Sequence, residues 1–195
     1  MSIEMEKASL APSDLKAESP PPPSDEVALL ETIKVTEEDA AKFPQELVLE
    51  THEEPVPAAR QTITQWVAKM GVPEKVRLAL LGNQEARYQL IHDQNKVIPL
   101  AVLRNPKIGE DEIILYCQLR NVVEDVFWAI SKHKSWIKNY SVKLALVSNP
   151  KTPLALAIKL LDHLHDRDLQ ILSRSKNISS VLSRSAARLL FKRRG

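Results

Sequence analysis

Apolar positions along this chain recur in one short pattern. It reads LALLGN at 78–83, LAVLRN at 100–105 and LALVSN at 144–149, the copies lying 22 and then 44 residues apart. Such a copy makes about one and a half helical turns, and its small Ala permits close approach of a neighbour. In LAVLRN the inward residues are Leu100, Ala101 and Leu103. The closing Asn is expected to stop the helix, because Asn tolerates the left-handed conformation after a helix and its side chain bonds nearby backbone. Pro106 and Pro150 follow directly and discourage resumption of the same helix.

New helix starts follow the stops. Thr152-Pro153 reads as an N-cap followed by Pro, opening PLALAIKLLDHL with Leu154, Ala157, Ile158 and Leu161 on one face. Gly109-Glu110 opens EDEIILYCQL in the matching place. Asp125 or Asn121 is expected to start VFWAISKH, Ser141 to start VKLALVS, Asp166 to start DLQILS, and Ser179 or Ser180 to start SVLSRSAARLLFKRR. Upstream, Ile63, Trp66, Val67 and Met70 form a helical stripe, with Gly71 as its terminator and Pro73 in the first turn of the next helix. Degenerate copies of the motif lie at WAISKH (128–133) and ILSRS (171–175). The unit is thus a short helix, a tight Asn turn and a second helix. One unit cannot bury its own apolar face, whereas stacked units share a core. The expected fold is all-α: a short right-handed α-solenoid over residues 58–195.

KLALVSNPKTPLALAIKLLDHL (143–164) and DLQILSRSKN (168–177) carry a resemblance to bacterial α-solenoid proteins with HEAT-like or leucine-rich-repeat-variant domains. It covers about 75–195 and leaves the choice between the two repeat geometries open. It implies stacked helices and no activity. The iron–sulfur cluster found beside some variant repeats requires several cysteines, and Cys117 is alone, so the cluster is not carried over.

Residues 1–57 depart from this pattern. They hold 14 Asp/Glu against 4 Lys/Arg, few aromatics and the run SPPPPS, a composition expected to remain a disordered acidic arm. Within it, VALLETIKV (27–35) and FPQELVLE (43–50) are candidate linear motifs or chance apolar residues in a linker. The remainder holds 11 Asp/Glu and 23 Lys/Arg. Its basic residues cluster late: Lys132, Lys134, Lys138 and Lys143 surround Trp136 and Tyr140, and Lys151, Arg174, Lys176, Arg184 and Arg188 follow. Interleaved cations and aromatics suit phosphate contacts with base stacking. The spacing of Trp136 and Tyr140 equally fits a packed helix face.

Catalytic motifs are missing. There is no GxxxxGK[ST], GxSxG, HExxH or CxxC. His163 and His165 stand two apart, which places them on opposite sides of a helix. Cys117 lies on the apolar face of EIILYCQL and reads as core, and Glu110-Asp111-Glu112 read as helix-start carboxylates. The expectation is a non-enzymatic protein with no metal, cofactor or small-molecule substrate, working in the cytoplasm. Its partner is expected to be another protein, held on the helical-repeat surface. Nucleic acid on the basic face, with the acidic arm as a competitor, is the alternative, and an anionic membrane surface the third.

Overall fold

The computed structural model describes residues 30, 33, 35–50 and 57–194. Among the described residues it is all-helical: α1 (Glu37–Ala40), α2 (Gln45–Val48), α3 (Pro57–Lys69), α4 (Val72–Leu81), α5 (Gln84–Leu90), α6 (Val97–Val102), α7 (Glu110–Gln118), α8 (Glu124–Lys132), α9 (Tyr140–Ser148), α10 (Leu154–Leu161), α11 (Asp166–Arg174) and α12 (Ser180–Arg194), with a 3-10 turn at Trp136–Lys138. Second-neighbour helices pack on one another, α3 on α5, α4 on α6, α6 on α8, α7 on α9 and α10 on α12, and the most extensive packing of all is between the adjacent helices α11 and α12.

Several apolar stripes read from the sequence are buried, but on α10 the face turns: Leu156 and Leu160 are buried with Ala157 and Leu161, and Leu154 and Ile158 are only half-buried. Ile63 and Val67 of α3 are buried, with Trp66 and Met70 at the core edge. The repeat contributes Leu78, Ala79, Ala101, Ala145 and Leu146 to the same core. Cys117 is fully buried, and burial pushes its thiol up to about 12.

The turns are built differently from the expectation. No described residue has positive φ. Asn149 sits at φ −86°, ψ 123°, extended rather than left-handed. The asparagines act through their side chains. Asn105 Oδ1 accepts the Lys107 N–H (2.9 Å), while its Nδ2 donates to the Ala79 (2.9 Å) and Gly82 (3.1 Å) carbonyls at the end of α4. Asn149 repeats this: Oδ1 accepts from Lys151, and Nδ2 donates to Cys117 O (2.7 Å) and Leu119 O (2.6 Å) at the end of α7. Asn83 caps α5 through Ala86 N–H (3.0 Å) and donates to Glu46 O (2.8 Å) in α2 and Leu49 O (2.9 Å) just after it. The last carbonyls of a helix have no intrahelical donors, and each Asn supplies donors to a helix of an earlier unit. Arg193 does the same for α10, donating to Asp162 O and Leu164 O (both 2.7 Å).

Other starts and stops are also corrected. Gly71 is the N-cap of α4, where the Glu74 carboxylate accepts its N–H (2.8 Å), and does not terminate α3 in a left-handed turn. Asn139, not Ser141, caps α9, accepting the Ser141 N–H (2.9 Å). α8 starts at Glu124 after Val123. Thr152 does not cap α10: Pro153 precedes the first helical residue, and the buried Thr152 hydroxyl has no partner.

The domain boundary expected near residue 58 also moves. Most of residues 1–57 lies outside the described residues, including most of VALLETIKV. FPQELVLE, however, is part of the folded body: Leu47 is fully buried and Phe43 and Val48 pack on the core. Asn83 N–H donates to Leu47 O (2.8 Å), and Lys107 Nζ to Val48 O (3.2 Å). This acidic segment docks through its main-chain carbonyls, the apolar side chains of Phe43, Leu47 and Val48, and the Glu50 carboxylate, which accepts from the Gln84 N–H (3.1 Å) and from Arg87 (2.7 Å).

Candidate functional site

The most constrained polar site is one the sequence reading assigned to a helix start. Arg87 on α5 is 1% exposed. Its Nε and Nη2 donate to the two oxygens of Glu112 on α7 (2.9 and 2.6 Å). Its Nη1 donates to Glu50 Oε1 (2.7 Å) and to the Gly82 carbonyl (2.9 Å). The Tyr116 hydroxyl donates to Glu112 Oε2 (3.0 Å). Burial opposes the guanidinium's charge, and the Glu112 and Glu50 carboxylates outweigh it, holding Arg87 above its ordinary value. Burial, then the Glu112 charge, pushes the Tyr116 phenol upward too. Each nitrogen of the guanidinium and both oxygens of Glu112 have a partner within the chain, so the group ties α5 to α7 and to Glu50. The available signal was an Arg and a Glu 25 residues apart, close to the repeat spacing.

Two concavities flank the third Asn turn. One is a groove of about 560 Å³ between α7 and α9, lined by Ile114, Gln118, Arg120, Leu144, Ala145 and Ser148. The exposed Leu115 also lies on α7. The other, of about 370 Å³, has Lys151, Thr152, Ala157, Ile178 and Leu182 among its walls.

The basic residues fall into groups. Lys132, Lys134 and Lys138 are exposed at the α8–α9 connection, and Lys143 is half-buried on α9. Lys151 comes together with the α11–α12 connection across the smaller pocket. Arg174 and Lys176 flank that connection, and Arg184 and Arg188 stand exposed on α12. Among the described residues none of these nine side chains makes an ion pair; Arg184 Nε donates to Ser180 O (3.2 Å). The two aromatics are engaged internally. Trp136 is buried and stacks on His133, with centroids 3.8 Å apart. Tyr140 stacks on His165 at 4.3 Å, accepts its N–H (3.0 Å) and donates to Asp168. Burial and the Asp168 carboxylate hold the Tyr140 phenol above its ordinary value. Neither ring is therefore laid open for stacking on a base.

Among the described residues no cluster of His, Cys, Asp and Glu is arranged to hold a metal ion, and no helix is long and apolar enough to cross a membrane. No family model, curated protein or solved structure matches the chain.

Proposed function

We propose that this chain is a non-enzymatic interaction adaptor, its helices stacked as a short HEAT-like α-solenoid that holds a protein segment in the α7–α9 groove. The groove itself carries the reading: it is open, about 560 Å³, with an apolar floor of Ile114, Leu144 and Ala145 and Arg120 at its wall. The packing of α4 on α6 and of α7 on α9 supports the stacked arrangement, in which successive units share a core. The internal use of Trp136 and Tyr140 weighs against base stacking on α9. An apolar floor beside a guanidinium suits a peptide with an apolar anchor and a carboxylate.

The test is a random peptide library selected against the full chain, with enriched peptides measured by fluorescence anisotropy. Enriched sequences should pair an apolar residue with Asp or Glu. Ser148→Arg, which fills the groove from an exposed position, should weaken them by tenfold or more, while Lys134→Ser should leave them unchanged. Peptides indifferent to Ser148→Arg, or no enrichment, would sink the proposal.

A further inference from the structure

The α11–α12 pair carries a surface that the groove does not use. Arg193, near the end of α12, pairs with Asp166 at the start of α11 (2.9 Å), so the two helices run antiparallel. Residues 169–194 hold seven Lys/Arg and no Asp/Glu. Arg193 is the cation turned inward, onto the carbonyls after α10. The others are outward. Arg184, Arg188 and Phe191 stand at i, i+4 and i+7, one line along α12, with Lys192 and Arg194 exposed beside them. In the run Leu189-Leu190-Phe191 the leucines pack inward and the ring stays out, 83% exposed. Ile171 on α11 is 60% exposed.

We infer that α12 docks this face on an anionic lipid bilayer, with Phe191 entering the acyl boundary and the flanking cations on the headgroups. Charge complementarity requires an anionic partner. The large ring distinguishes which kind. A bilayer interface takes an aromatic ring into its apolar edge while arginine stems extend to the phosphates. A nucleic-acid duplex offers phosphates to the cations and nothing to the ring. A cation near an anionic membrane is worth about fivefold in partition, and Phe against Ala about tenfold at partial burial.

The experiment is cosedimentation of the full chain with phosphatidylcholine vesicles containing none or 30% phosphatidylglycerol, at low and high salt. Oligo(dT) and a random duplex serve as separate ligands. Binding should require the anionic lipid and weaken at high salt. Phe191→Ala should lower it about tenfold. Phe191→Leu, which keeps apolar bulk without a π face, should lower it less than threefold. Arg184→Glu with Arg188→Glu should lower it by at least about twenty-fivefold. All three positions are exposed, and circular dichroism checks that each variant folds. Equal binding to neutral vesicles, or no response to Phe191→Ala, overturns the inference. So does the opposite pattern, in which vesicles are not bound and oligo(dT) binding is lost in Phe191→Leu. That pattern makes the face a single-strand surface.

Discussion

The side-chain amide of Asn105 offers a direct test of what holds the repeats together. Asn105 is 2% exposed, accepts one backbone N–H in its own turn and donates to two carbonyls at the end of α4. Asn105→Asp is isosteric. It keeps the accepted bond and turns two attractive contacts into oxygen facing oxygen. Two lost hydrogen bonds cost about 1 kcal/mol each, and a buried carboxylate whose second oxygen faces carbonyls with no donor adds more, so the total is about 3–5 kcal/mol at neutral pH. An exposed comparison, Asn121→Asp, should stay within about 0.5 kcal/mol.

The assay is urea unfolding followed by circular dichroism, repeated across pH. Burial against carbonyls raises the folded-state pKa of the new carboxyl above its unfolded value of about 3.9. The variant therefore keeps most stability below that unfolded value and loses it as pH rises through the folded pKa. Its deficit against the parent chain should widen from acid to neutral pH. If Asn105→Asp unfolds within about 1 kcal/mol of the parent at pH 7, the amide is not a donor between units. The account of the repeat would then fail.

Other substitutions probe the same architecture. Arg87→Met should cost about 3–5 kcal/mol, because Glu112 stays buried without its partner, and adding Glu112→Leu should recover much of the loss in the same urea assay. Gly82→Ala places a methyl 2.6 Å from the Leu78 carbonyl and 3.3 Å from the Leu47 carbonyl; it should lower stability by about 1–3 kcal/mol, while Gly109→Ala, with nothing within 4 Å, should change it by less than about 1 kcal/mol. Thr152→Val removes a buried hydroxyl that has no partner and should raise stability by up to about 1–2 kcal/mol. The Cys117 thiol, pushed up to about 12 by burial, should not react with Ellman's reagent at pH 8 until urea unfolds the chain; reaction in the folded protein would place it outside the core.

What could be read from residues alone follows the range of the forces involved. The stripes of α3, α4 and α9 were legible because burial of a helix face imposes its period on neighbouring residues. The role of the asparagines was only half legible. The accepted bond is local, from Lys107 to Asn105 or Lys151 to Asn149, and turn chemistry predicts it. The donated bonds reach carbonyls 23 to 37 residues away, and any residue type can supply a carbonyl, so no pattern marks the acceptors. The same reason hid part of the docking of FPQELVLE, whose bonds to Asn83 and Lys107 run through its backbone, while its Glu50 carboxylate meets an arginine 37 residues away. It also hid the Arg87–Glu112 pair, since a charged residue near a helix start is sufficiently explained by the helix dipole. Yet the local and long-range bonds are made by one side chain, and this is why the Asn recurs. A Ser at that place, as in Ser175, keeps the local bond, accepting the Asn177 N–H (3.2 Å), but has no amide to span to a second helix. The degenerate copies are therefore the points where one unit is tied less strongly to another. Backbone exchange should be faster in α8 and α11 than in α4 and α6.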